Sequence, residues 1–315
     1  VELGYWLSSE EHAPRDLVAS ARAAEEAGLS YAVISDHFHP WIDAQGQSSF
    51  VWSVVGAIAT ATERITIGTG VTCPLIRVHP AIVAQAGATA ACLLPGRFFL
   101  GVGTGENLNE HVTGAKWPAP DARLQMLEEA VGVIRMLWEG GYQTHRGKHY
   151  TVEQARLYTL PDEPPPIVVA AAQENAAELA GRVGDGYMNV APDADALKIY
   201  ERSGGGGPKH GKVTGCWAAD RNKALQQAYE SWPNMGLGGS LSQELALPRD
   251  FEAAAKTVRP EDIEDSLALG DDPQPWVEQI RKFADAGFTH VALHHIGEDQ
   301  QGFIRFVQEE ITPSL

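Results

Sequence analysis

Cysteine, positive charge and long apolar runs are all scarce in this chain of 315 residues. Its three cysteines, Cys73, Cys92 and Cys216, are odd in number and widely spaced. That fits neither a disulfide framework nor a zinc knuckle, and predicts reduced thiols in a cytoplasmic protein. Lys and Arg total 24 against 41 Asp and Glu, a net charge of −17, and the pI is near 5.0. Nucleic-acid binding is not expected, because neutralising phosphates needs clustered cations. No apolar run approaches the roughly 18 residues of a membrane span, and mean hydropathy is −0.19. The opening Val1-Glu2-Leu3-Gly4 is not a basic stretch leading into an apolar one, so no secretory signal is expected.

What is present is a globular balance, 44% apolar and 21% charged, arranged as alternating strands and helices. Eight segments read as strands: Leu3–Leu7, Tyr31–Asp36, Ile65–Val71, Phe98–Val102, Ile167–Ala171, Tyr187–Ala191, Lys212–Ala218 and His290–His295. They are apolar on both faces, as a parallel sheet covered by helices requires. Between them lie amphipathic helices, such as the one carrying Leu124, Leu127, Val131, Ile134 and Leu137 on one side. The run Glu26-Ala27-Gly28-Leu29-Ser30-Tyr31 is echoed by Asp285-Ala286-Gly287-Phe288-Thr289-His290, each a helix end, a glycine turn and a strand start. Eight such units suit an α/β fold of the closed (β/α)₈ TIM-barrel type, with an open doubly wound sheet as the alternative. A single domain over residues 1–315 is expected, with insertions near 140–158, read as a hairpin, and 237–260, read as partly helical.

In a barrel, chemistry gathers at the C-terminal ends of the strands. The second strand ends Asp36-His37-Phe38-His39-Pro40-Trp41, dense in groups that move protons or stack on rings. A buried Asp36 would fix the ring of His37 and leave it poised as a general base. The pair His37-x-His39, with His294-His295, could instead bind a metal, though no carboxylate ligand is specified. The fourth strand ends Gly101-Val102-Gly103-Thr104-Gly105-Glu106, whose glycines admit a ligand to the backbone and whose spacing is not that of a dinucleotide fingerprint. Gly70, closing the third strand, would permit close contact with a flat ligand.

Ser35-Asp36-His37-Phe38-His39-Pro40-Trp41, Gly68-Thr69-Gly70-Val71, Arg77-Val78-His79-Pro80 and Gly101-Val102-Gly103-Thr104-Gly105-Glu106 occur in that order. Together they resemble the luciferase-like superfamily, within it the coenzyme F420-dependent dehydrogenases, the branch of the glucose-6-phosphate and secondary-alcohol enzymes. The resemblance implies a hydride transfer between an alcohol, or the matching carbonyl compound, and the deazaflavin, in a homodimer. It gives catalytic roles to His37, Glu106 and Trp41. Cofactor contacts would come from Asp36, Gly70, Val71, Thr104, Gly105, Glu106, Asn109, Ala170, Ala171, Ala172 and Gln173, with a cis peptide at Gly70–Val71. Substrate contacts would come from Glu10, Phe38 and Trp41, and Trp232 would add an apolar wall.

Rival readings are a flavin mononucleotide monooxygenase of the same superfamily, a flavin-binding relative without catalysis, and a metal-dependent hydrolase. The sugar-phosphate enzymes of this branch hold the phosphate with two lysines and an arginine. Asp193, Ala253 and Ser266 align there, so an unphosphorylated, uncharged secondary alcohol is expected. Lys198, Lys256 or Arg259 could compensate if the register differs by a few residues.

Overall fold

The computed structural model describes residues 1–315. Strand β1 (Glu2–Leu7) is followed by α1 (Pro14–Glu26), β2 (Tyr31–Ile34), α2 (Val51–Ala61), β3 (Thr66–Thr69), α3 (Pro80–Leu93) and β4 (Phe98–Val102). Then come a short α4 (Asn107–Glu110), α5 (Pro120–Trp138) and a hairpin of β5 (Gln143–Arg146) and β6 (Thr151–Ala155). The pattern resumes with β7 (Ile167–Ala170), α6 (Glu174–Val183), β8 (Gly186–Met188), α7 (Ala194–Arg202), β9 (Lys209–Cys216) and α8 (Arg221–Ser231). An excursion carries α9 (Leu241–Glu244), α10 (Pro248–Ala255), α11 (Pro260–Glu264) and β10 (Ala268–Leu269) before α12 (Pro273–Ala286), β11 (His290–His295) and α13 (Gln300–Phe306).

The parallel strands run in the order β9-β11-β1-β2-β3-β4-β7-β8, and β8 pairs back onto β9 through Tyr187↔Lys209 and Met188↔His210. That last pairing closes the ring, so the barrel expectation holds and the open sheet does not. The echo seen in the sequence has a backbone reason. Gly28 and Gly287 both take left-handed φ, +84° and +100°, where a side chain is strained, and each turns a helix into a strand.

Alternation along each strand divides the core in two. Leu3, Tyr5 and Leu7 of β1, with Ala32 and Ile34 of β2, face the helices and join a cluster of 59 buried residues. Trp6, Tyr31 and Val33 face inward and join a cluster of only 7, so most burial lies between ring and helices. The N-terminal end of the barrel is plugged by Tyr31, Phe99, His210 and His290, with His210 4.8 Å from Phe99 and 4.7 Å from His290 between ring centres. The Phe99 ring sits where a side chain on Gly68 would stand, 1.9 Å from its ideal Cβ position. Burial pushes the His210 imidazole down to about 3, so the plug is uncharged at neutral pH.

Two departures from the sequence reading shape the site. Strand β9 begins at Lys209, three positions before the expected Lys212, and β10 extends its other end by pairing Ala268 and Leu269 with Gly215 and Cys216. Between His210, where β8 stops, and Gly215, where β10 begins, that side of β9 has no neighbouring strand. The excursion packs against the end of β9 through a separate apolar cluster that includes Cys216, Trp232, Val258 and Ile263. No helix is long and apolar enough to cross a membrane.

Candidate active site

A cavity of about 630 Å³ opens at the C-terminal end of the barrel. Of the residues singled out in the sequence, Glu10, His37, Trp41, Gly70, Val71, Thr104, Gly105, Glu106, Ala170, Ala171, Ala172 and Gln173 line it. Asp36, Phe38 and Asn109 stand outside its wall.

Asp36 is buried at the end of β2 and fully engaged. One carboxylate oxygen accepts from Thr72 Oγ1 at 2.8 Å and the other from Arg77 Nη2 at 2.8 Å. Arg77 reaches on to Glu110, whose Oε2 also accepts the Arg77 backbone N–H at 2.7 Å. Burial opposes the Arg77 charge, but Asp36 and Glu110 outweigh it and hold the guanidinium above its ordinary value. Asn109 completes this lattice: its Oδ1 accepts from the backbone N–H groups of Phe38 and His39 at 2.8 and 3.2 Å, and its Nδ2 donates to Glu106 at 3.3 Å. The loops after β2, β3 and β4 are thereby locked to one another.

His37 has a different partner from the expected one. Asp36 does not orient it, because adjacent side chains leaving a strand point to opposite sides and Asp36 turns toward Thr72 and Arg77. Instead His37 Nδ1 lies 3.1 Å from the backbone carbonyl of His39, and Nε2 faces Glu10 Oε1 at 3.4 Å. A carbonyl can only accept, so Nδ1 carries a hydrogen, and Nε2 is the nitrogen left to exchange a proton. Glu10 is buried and accepts from Ser35 and from Ser8 Oγ at 3.2 Å. Burial favours its neutral form, but His37, Ser35 and Lys212 outweigh that and hold it below the usual carboxylate range. The Trp41 ring lies 5.0 Å from the His37 ring and edge-on to Phe251 at 5.3 Å. Phe38 turns the other way, 52% exposed with its ring against His39, so it forms no pocket wall.

The Gly70–Val71 peptide is cis. A side chain on Gly70 would stand 2.3 Å from Val33 Cγ1 and 2.7 Å from Trp6, so the residue has to be glycine. Val71 projects into the cavity against Gly103, where a Cβ would lie 2.6 Å from Val71 Cγ2. On the far side, Ala170–Gln173 lead into α6, whose first turn has no side-chain cap. Its free N–H groups make that end of the cavity receptive to an anion.

Histidines positioned for a metal in the sequence are separated in the fold. His39 Nδ1 faces the Leu108 carbonyl at 2.9 Å, His294 Nε2 pairs with Glu11 at 2.8 Å, and His295 Nδ1 accepts the Trp217 N–H. No group of three or more His, Cys, Asp or Glu is placed to hold a metal ion. Cys73 is packed beneath Gly105, and burial raises its thiol well above the ordinary value. Of the positions expected to replace phosphate-binding cations, Ser266 lines the cavity, while Asp193 caps α7 by accepting from Asp195 and Ala196 N–H groups. Lys198 pairs with Asp195 and Arg259 with Asp262 on the surface, and neither reaches the cavity.

The residue with no role in the sequence reading is Lys212. It points inward from β9, its ammonium 4.4 Å from the Trp6 ring centre and 5.5 Å from that of Trp232. Burial pushes it down to about 8, against the opposing pull of Glu10 and Glu11. Burial also pushes Glu11 up to about 7. The signal was the inward alternation His210, Lys212, Thr214, a lysine in the interior register of a strand.

Residues 1–290 match the family described as Luciferase-like monooxygenase. The chain belongs to the luciferase-like family. It is 36% identical to the F420-dependent glucose-6-phosphate dehydrogenase of Nocardia farcinica, over 100% of this chain and 98% of that one. It is 34% identical to the enzyme of the same name from Mycobacterium tuberculosis strain H37Rv, again over 100% and 98%. A solved F420-dependent secondary alcohol dehydrogenase, in complex with an F420-acetone adduct, superposes with a TM-score of 0.92 at 31% identity, over 99% of this chain and 98% of that one.

Proposed function

We propose that this luciferase-like chain is a coenzyme F420-dependent oxidoreductase whose substrate is an unphosphorylated secondary alcohol or the corresponding ketone. The observation that carries the reading is His37: Nδ1 donates to the His39 carbonyl, which leaves Nε2, 3.4 Å from the buried Glu10 carboxylate, as the nitrogen that exchanges a proton. A proton taken from a hydroxyl at Nε2 would be stabilised by that carboxylate as the carbinol carbon is oxidised.

The deazaflavin supplies a ring carbon that exchanges a hydride and reacts poorly with oxygen. The residues present fit such a group. The flat backing of Gly70 and Val71, the glycine loop Gly103–Gly105 and the uncapped start of α6 lie along one cavity, suited to a ring and an anionic tail. Trp41 keeps the His37 ring in place, and Glu106, held by Asn109, is a second proton-handling group at the loop after β4. Asp36 acts through Thr72 and Arg77, fixing the loops on which those groups sit.

The substrate reading is supported by charge. Arg123 and Lys212 are the cavity's cations, and Arg123 is committed to Pro118, Gln243 and Glu244. A phosphate dianion would meet one free cation with Glu10 and Glu11 nearby, which is a poor clamp. A homodimer belongs to the same proposal, supported by an apolar groove between α2 and α3 where Phe50, Ile82 and Leu93 are exposed.

The test follows loss of the oxidised F420 absorbance with glucose 6-phosphate or neutral secondary alcohols under identical conditions. The expected result is a higher kcat/KM for a neutral alcohol. A higher value for the phosphate ester overturns the substrate reading, and no turnover with any alcohol or ketone overturns the oxidoreductase reading.

A further inference from the structure

Two polar groups in the cavity wall have no partner within the protein. The Lys212 ammonium lies over the Trp6 and Trp232 rings, while Glu10 accepts from Ser8 and Ser35 and Glu11 pairs with His294. Asn234 stands on the turn Pro233–Gly236 that follows Trp232, and its carboxamide oxygen is buried without a hydrogen-bond partner. Both residues line the cavity, Lys212 against the Trp232 indole and Asn234 on the turn that follows it. Lys212 stands on the stretch of β9 that neither β8 nor β10 covers.

Buried polar groups are normally satisfied, so an unpaired donor and an unpaired acceptor in one wall describe the ligand that completes them. The two aromatic faces offset part of the Lys212 desolvation, yet its N–H bonds still lack an acceptor. Glu10 is near enough to favour the Lys212 charge, although no ion pair forms between them. A group carrying a full negative charge would therefore face Glu10 unfavourably, whereas a neutral oxygen would not. A hydroxyl suits either wall group, accepting from Lys212 or donating to Asn234.

We infer that Lys212 and Asn234 form a subsite for a second oxygen on the substrate, so that the cavity selects a neutral, multiply oxygenated alcohol over a hydrocarbon alcohol. Diols, hydroxy ketones and unphosphorylated sugars carry that chemistry. The inference rests on the proposed oxidation of an alcohol in this cavity, and it names the class of alcohol.

The experiment compares 2,3-butanediol with 2-butanol, which share a carbon skeleton and differ in the second hydroxyl. In the wild type with oxidised F420, kcat/KM is higher for the diol. In Lys212→Met the diol-to-butanol ratio falls about tenfold or more, as expected for losing a hydrogen bond to a charged donor. The loss appears in KM rather than kcat. Asn234→Ala moves the ratio the same way by less, and decides the matter if the lysine variant does not fold. A ratio unchanged in the folded variants, or a wild type that prefers 2-butanol, overturns the subsite. Quenching of tryptophan fluorescence in the full chain reads the same preference without turnover. If the wild type oxidises neither alcohol, the functional reading falls, and the titration still decides the subsite. Diol binding no tighter than butanol binding overturns it.

Discussion

The two sides of the cavity are built on opposite principles. On the side of β2, β3 and β4, the polar groups behind the cavity wall are consumed: Asp36 by Thr72 and Arg77, Glu110 by Arg77, and Asn109 by the backbone of Phe38 and His39. On the side of β9 and the excursion, Lys212 and the Asn234 oxygen have no protein partner, and the Glu11 carboxyl sits near 7. A satisfied lattice preorganises one geometry, as a fixed cofactor requires. Unsatisfied groups are completed only by a ligand, as a site for exchanging substrates requires. The difference is one of hydrogen-bond completeness rather than of residue type, since both sides carry acids and cations.

The largest expected effect tests the group at the junction of the two sides. His37→Ala should lower alcohol turnover by about 10²–10⁴-fold, the usual range for a general base, with F420 affinity nearly unchanged. Steady-state rates at saturating cofactor check this, and near-normal turnover removes His37 from the role. Next is the locked side. Arg77→Met strands Asp36 and Glu110 as buried, uncompensated carboxylates, with Arg77 and Asp36 side chains only 8% and 1% exposed. We expect a loss of about 3–5 kcal/mol in urea unfolding. A loss near that of an exposed ion pair would show that the lattice is not a rigid platform.

Much of the locked side was legible because its residues arrive in short consecutive runs. Asp36-His37, Gly70-Val71 and Gly103–Glu106 each follow a strand, and a strand end in a barrel faces the site. The partners were less legible. Adjacency in the chain pairs His37 with Asp36, yet strand alternation sends that side chain away and brings Glu10 from the loop after β1. Lys212 carries no local motif at all. Its environment is assembled from Trp6, Trp232 and Glu10, residues up to 206 positions away in the chain, and tertiary closure alone unites them. The two-residue β10 was similarly invisible, too short for any periodicity to register.

The open side makes a prediction of its own about pH. Burial raises Glu11 from 4.5 to about 7 in the folded chain, so the folded state holds an extra proton across that window. A carboxyl with a raised folded value contributes fully below 4.5, and that contribution is lost as pH rises to about 7. Glu11→Gln abolishes this titration. Relative to the wild type, the variant should gain stability from pH 4.5 upward, by up to ~3 kcal/mol near pH 8. Urea unfolding at a series of pH values reads the difference. A variant-minus-wild-type value that stays flat across the series means Glu11 is ionised like any other carboxylate.

The smallest effect concerns how the excursion is fastened. Arg123 is buried at the start of α5, stacks on Trp117 at 4.5 Å, and donates to Pro118 O, Gln243 and Glu244. It is the clasp between the barrel and α9. Glu244 is 44% exposed, so its ion pair is largely screened, and Glu244→Gln should cost at most about 1 kcal/mol of global stability. The informative readout is local. If the open side is a separately opening unit, amide exchange in the variant should quicken across residues 237–260 while the loops after β2 to β4 exchange as before. Exchange that quickens equally on both sides would mean that one cooperative structure carries both, and that the contrast in hydrogen bonding has no counterpart in local stability.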